Sequence, residues 1–218
     1  MTAKNELREH TVKQWILAAT ACAVLLPASF AAAQSPNVVI EEAVAILAER
    51  LNGKKDEFAE DRAALYQLID DILLPRFDQR FAAQLVLARH WRTASEEQQQ
   101  RFIDAFYNSL LKRYAEGILE FEEDRIEVLA FRGDASKKTA SVRTVVELDD
   151  GSKVPVNYDL VRRGEQWKIF NVTIEGVSYM RNYRTELDAE IRASSLNAVI
   201  ERLESEAERL ELASEPDE

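Results

Sequence analysis

The sequence predicts an α+β fold, with helices packed on one face of a twisted antiparallel sheet of about four strands. Two observations carry this expectation. Apolar residues recur at helical spacing from Val38 to Tyr114 and again after Gly176, whereas between Arg125 and Ile174 the apolar period falls to two. The period-two segments are separated by short turn signals, so that consecutive strands pair antiparallel, and helices are segregated from strands along the chain.

The helical elements follow in order. Val38 to Leu51 places Val39, Ala43, Ile46, Leu47 and Leu51 on one face, and Asn52-Gly53 supplies a stop. Asp61 to Leu74 repeats the pattern through Leu65, Leu68, Ile69 and Ile72 and ends at Pro75. Asp78 to Trp91 reads as a third helix, with Phe81, Leu85 and Ala88 along its stripe. Ser95-Glu96-Glu97-Gln98 is a capping box, in which the Ser hydroxyl and the Gln side chain satisfy unpaired backbone N–H groups. The helix it opens has the bulkiest stripe, Phe102, Phe106, Leu110 and Tyr114, and Gly117 is placed to close it as a left-handed cap.

The strands come next. Val142, Thr144, Val146 and Leu148 alternate with polar neighbours, as do Val154, Val156, Tyr158 and Leu160, with Asp149-Asp150-Gly151-Ser152 as the turn between them. Pro155 marks its strand as an edge or a bulge. In Trp167 to Ile174, strict alternation points Trp167 and Ile169 one way and Phe170, Val172 and Ile174 the other. After Gly176, Ser178 caps a helix carrying Tyr179, Tyr183, Leu187 and Ile191, and a last helix runs through Leu196, Val199, Ile200 and Leu203. Residues 204–218 are Glu-rich and read as a solvated acidic tail behind a single domain spanning 34–203.

Residues 1–33 have the features of a cleaved export signal. Lys4, Arg8 and Lys13 precede an apolar run from Trp15 to Leu26, followed by Pro27 and the small residues Ala31-Ala32-Ala33. The run is shorter than the roughly 20 apolar residues of a membrane span. Export would place the mature chain in an oxidising compartment, where it must be stable without a disulfide, because the chain has 1 Cys.

Composition narrows the function. Of the 218 residues, 28 are Lys or Arg and 39 are Asp or Glu, for a net charge of -11. That balance argues against a nucleic-acid partner bound through a broad basic face. One Cys and 2 His cannot build a classical zinc finger, and no metal site is expected. No Gly-rich phosphate loop and no G-x-S-x-G elbow occur, His90 reads as a surface or capping residue, and Asp149-Asp150 reads as a turn. One enzyme class survives as an alternative: a ketosteroid-isomerase-like pocket enzyme in which Asp159 or Tyr158 acquires a shifted pKa. Alternation puts those two side chains on opposite faces, which weakens it.

Trp167-Lys168-Ile169-Phe170-Asn171-Val172-Thr173-Ile174-Glu175-Gly176-Val177-Ser178, followed by Asn182-Tyr183-Arg184, resembles the signature of the MlaC (toluene-tolerance) family of phospholipid carriers. Trp91-Arg92-Thr93-Ala94-Ser95-Glu96-Glu97-Gln98 and the helix from Phe102 to Tyr114 are similar to that family in the same order along the chain. Two positions depart from the pattern: Ala88 stands where Gly is frequent and Asn171 where Asp is frequent. The resemblance implies an NTF2-like fold enclosing an apolar cavity, and a non-enzymatic periplasmic protein with bound phospholipid as cargo and no other cofactor. It further implies that the lipid is carried between an inner-membrane ABC transporter complex, with its MCE-type substrate-binding subunit, and an outer-membrane lipoprotein complex, supporting outer-membrane lipid asymmetry.

Hiding acyl chains from water, at about 0.8 kcal/mol per CH₂, calls for a long apolar cavity. The expected lining is Phe77, Phe81, Leu85, Phe106, Leu110 and Tyr114 from helices, with Val142, Val156, Tyr158, Ile169, Val172 and Val177 from the sheet side. The same residues could instead fill an ordinary core, as in a periplasmic interaction module. Arg181 and Arg184 are the candidates to meet the headgroup phosphate.

Overall fold

The structure is a computed structural model that describes residues 35–212. The expected export signal and the last residues of the acidic tail lie outside the described residues. Five antiparallel strands form a meander in the order β1-β2-β3-β4-β5: Ile126–Val128, Thr139–Glu147, Lys153–Arg163, Gln166–Ile174 and Val177–Ser178. Helices α1 to α5 precede them: Asn37–Leu51, Lys55–Glu60, Arg62–Leu73, Gln79–Leu87 and Glu96–Tyr114. Helices α6, Tyr179–Ala193, and α7, Leu196–Leu212, follow. The fold is α+β, as the change of period predicts.

Local signals account for most boundaries. The capping box of α5 is formed, with the Gln98 N–H donating to Ser95 Oγ at 3.1 Å and the Ser95 N–H donating to Gln98 Oε1 at 2.9 Å. Asp61, Asp78 and Ser178 cap α3, α4 and α6 through their side chains. Helix α4, however, stops at Leu87 rather than Trp91, because Ala88 turns the chain at φ 47. His90–Arg92 then forms a separate short turn, and Trp91 packs against the helical core. Gly117 does not take the left-handed cap. Its place is inside a tight 3-10 turn, Ala115–Ile118, that continues from α5 because Ala115 is buried against α3.

Two features of the sheet differ from strict alternation. Between Asp159 and Leu160 the register shifts: Asp159 pairs with Asn171 but Leu160 pairs with Ile169, leaving Phe170 as an extra residue in β4. This bulge resets the alternation, so Trp167, Ile169, Val172 and Ile174 all share the face of Val156, Tyr158 and Leu160. Phe170 instead meets Phe81 of α4 edge-on, with ring centroids 5.0 Å apart. Pro155 lies in the middle strand of the sheet, neither on an edge strand nor at a bulge. The Pro155 carbonyl accepts from the Glu175 N–H, and a residue's N–H points to the same side as its carbonyl. The missing proline N–H therefore faces the β4–β5 turn, where the ladder has ended and no donor is needed.

The free edge of β4 is covered by the segment before α4, where the Asp78 N–H donates to the Ile169 carbonyl at 2.8 Å and Phe77 bridges Ile169. The acidic segment that reads as a tail from residue 204 is helical through Leu212, and its Glu204 and Glu206 bind arginines of α5 and α7.

Among the described residues, most of the buried apolar side chains fall into three clusters. One joins α4, α5, α6 and α7 around Phe102, Phe106, Leu187 and Ile200. A second joins α1, α2 and α3 with the end of α5, around Leu65 and Leu68. The third joins Val39 and Ile40 of α1 to the sheet residues Val142, Leu160, Trp167 and Ile169. Among the described residues, none of these clusters contains side chains of both α5 and the sheet.

Candidate functional site

That division defines the site. The inner face of the sheet is sealed at one end, where α1 covers Val142, Leu160 and Ile169. Toward the other end Tyr158, Val172 and Ile174 are only half-buried, on the same face as the buried Val156. From α5, exposed Tyr114 shares a cavity with Ile174, whereas half-buried Leu110 packs against the helical cluster. The surface ends at a cavity of about 440 Å³ between the end of α5, the β4–β5 turn and α6, lined in part by Tyr114, Ile174, Val177, Tyr179 and Tyr183.

The expected lining residues thus occupy different environments. Val142, Ile169 and Phe77 lie at the sealed end of the sheet, and Phe106 is stacked on Phe102 within the helical cluster, with ring centroids 5.4 Å apart. Phe81 is engaged by Phe170 and by the Arg163 guanidinium, 5.1 Å from its ring centroid. Leu85 is half-buried on α4. Val156, Tyr158 and Val172 share the open half of the sheet face, and Tyr114 and Val177 meet at the cavity. Arg181 and Arg184 are exposed on the first turns of α6, outside the cavity lining. Tyr179 and Tyr183 line it as well; the sequence shows them only as apolar-stripe residues, and the ring contacts that single them out arise from the placement of α6 against α5.

The polar groups nearby hold the frame. Asn171 is buried and uses its whole amide: its Nδ2 donates to Asp159 Oδ2 at 2.7 Å and Thr173 Oγ1 at 3.3 Å, while its Oδ1 accepts from the Ser178 hydroxyl and the Met180 N–H, each at 3.1 Å. This ties β3, β4 and α6 together at one point. Asp159 is consumed there, on the face opposite Tyr158. Burial pushes the Tyr158 phenol above its ordinary pKa, against a smaller opposing effect of its hydrogen bond with Thr144; it is a neutral group near pH 7. His90 and Arg89 both reach Asp188 of α6, at 2.8 and 2.7 Å. The His90 hydrogen bond, helped by Arg89 and Arg192, holds the Asp188 carboxyl below the usual carboxylate range. Among the described residues no group of three or more His, Cys, Asp or Glu is placed to hold a metal ion, and no helix is long and apolar enough to cross a membrane.

This antiparallel meander flanked by helices has the fold of a solved phospholipid-binding protein of Ralstonia solanacearum, determined in complex with a phospholipid. The two superpose with a TM-score of 0.72 at 23% identity, over 81% of this chain and 99% of that one. A profile of the MlaC protein family matches residues 41–205, and this chain belongs to that family. The toluene tolerance protein ttg2D of Pseudomonas putida is 30% identical over 156 residues, 71% of this chain and 72% of that protein. The intermembrane phospholipid transport system binding protein MlaC of Haemophilus influenzae is 22% identical over 176 residues, 78% of this chain and 82% of that protein.

Proposed function

We propose that this chain is a non-catalytic phospholipid carrier of the periplasm, shuttling lipid between an inner-membrane ABC transporter complex and an outer-membrane lipoprotein complex. Membership of a family whose relatives are named for phospholipid binding and transport supports the reading. The structural observations that carry it are the stretch of inner sheet face that α1 leaves half-buried, Tyr158, Val172 and Ile174, and the adjoining walls of the cavity of about 440 Å³. Acyl chains between those surfaces would be shielded at about 0.8 kcal/mol per CH₂, so even a partly enclosed chain contributes several kcal/mol. The isomerase alternative is not favoured by its two candidates, since Asp159 accepts a hydrogen bond from Asn171 on the face of the sheet opposite Tyr158.

The test is extraction. Protein purified without added lipid is expected to release phospholipid into organic solvent, read by mass spectrometry, and Val172→Glu to retain less than a tenth as much while keeping its circular dichroism. A buried carboxylate against acyl chains costs several kcal/mol, enough for that loss. Folded wild type that carries no lipid and takes none from vesicles would overturn the proposal.

A further inference from the structure

The cavity at the end of α5 has a chemistry that the acyl-binding surface does not require. Three tyrosines surround it from two helices: the Tyr114 and Tyr179 ring centroids are 6.1 Å apart at 74°, and those of Tyr179 and Tyr183 are 6.5 Å apart at 52°. The Tyr114 and Tyr183 hydroxyls are 3.1 Å apart, which fixes the two rings relative to each other. Tyr114 is 46% exposed and Tyr179 is half-buried, whereas Tyr183 also packs edge-on against Phe106, with ring centroids 5.2 Å apart, so that the core holds one ring and two reach the cavity from it.

Two carboxylates, Glu175 and Glu186, line the same cavity. Its Arg113 is already paired with Glu206. Glu175 is in an unusual position. Ile174 and Val177 pair directly across a two-residue turn in which Glu175 has φ 50 and Gly176 φ 80, a type I′ geometry that favours Asn, Asp or Gly. A Glu held in that conformation is a local cost that a purely structural turn would not need.

Aromatic faces with nearby carboxylates attract a cation, above all an alkylammonium, whose charge is spread over carbon-bound hydrogens. A bare phosphate would meet two carboxylates. We infer that the Tyr114–Tyr179–Tyr183 cavity binds the ammonium group of a zwitterionic phospholipid headgroup, so that the protein prefers amine-bearing lipids to purely anionic ones. The inference rests on the carrier reading, and Ile174, which belongs to both the cavity lining and the inner sheet face, sets the two side by side. A cavity of about 440 Å³ suits a headgroup and leaves the acyl chains to the sheet.

The experiment loads delipidated full chain from vesicles of phosphatidylethanolamine and phosphatidylglycerol in equal amounts and counts both lipids by mass spectrometry. Wild type is expected to retain roughly five times more ethanolamine lipid, the preference of a partly exposed cation–π site reinforced by carboxylates. Glu175→Asn with Glu186→Gln, and separately Tyr179→Leu, are expected to bring the ratio to about one, the ratio being read within each loaded sample so that a change in total lipid does not enter it. Asn suits the I′ turn better than Glu, so the paired variant keeps its fold. An even ratio in wild type, or an undiminished preference in both variants, overturns the inference while leaving the carrier intact; no lipid of either kind overturns the carrier itself. A parallel NMR titration with free ethanolamine separates the sources. Saturable binding of the free amine together with an even lipid ratio would mark a soluble-amine site and overturn the headgroup assignment.

Discussion

Ala88 is held at φ 47 and ψ -108, a region that costs a residue with a Cβ about 1–2 kcal/mol and glycine almost nothing. Ala88→Gly is therefore expected to raise the unfolding free energy by about 1 kcal/mol, the relief of strain exceeding the extra chain entropy of glycine. In thermal denaturation that corresponds to a rise of about 2–4 °C, and an unchanged or lower midpoint would show that the strain is absorbed elsewhere. Asn171 illustrates the opposite situation. An Asp in its place would be unfavourable, because Asp159 is only 2.7 Å from the amide nitrogen and two carboxylates at that distance would repel.

At the scale of elements, α7 shows which forces decide. It is decorated by ion pairs: Arg101 grips Glu204 bidentately, at 3.1 and 2.8 Å, and Arg202 does the same to Glu190 of α6. These side chains are partly exposed, and pairs of that kind contribute about 0–1 kcal/mol. Val199 and Ile200 are fully buried and Leu203 nearly so, in the cluster that α7 shares with α5 and α6. Ile200→Ala is expected to cost about 2–5 kcal/mol in urea unfolding, whereas Arg101→Ala costs less than about 1 kcal/mol. Equal effects would mean that charge rather than burial docks the last helix. The ion pairs join α7 to α5 and α6, and the helix runs into the segment that composition alone suggests is a tail.

The whole molecule combines a dense helical half with a sheet whose inner face is sealed at one end only. A ligand bound to the folded state alone stabilises it by mass action, by about 2.7 kcal/mol at 100 times its Kd. Delipidated protein is accordingly expected to melt about 6–10 °C below the lipid-loaded form. Val172→Glu should melt at the same temperature before and after delipidation; a full shift in that variant would place the lipid elsewhere. With a net charge of -11, the chain is repelled on average by anionic bilayers, which suits a carrier that must leave a membrane with its cargo and favours docking through protein receptors.

The sequence by itself determined the kinds of element and their order, because the helical and strand periods, the Ser95–Gln98 box and the Ser178 cap are local properties of the chain. It also carried the family resemblance in contiguous motifs. Only the tertiary structure decided which faces those elements present. A single bulge at Phe170 turned Val172 and Ile174 to the side of Ile169, which no strict alternation could foresee. The site was legible as a list of bulky residues but not as an arrangement. Phe106 and Val172 look equally apolar in sequence, yet one is packed in the helical cluster and the other lies on the open half of the sheet. The physical reason is that burial and cavity walls are set by contacts between segments far apart in the chain, such as Tyr114 with Tyr183, and local periodicity carries no information about such distances.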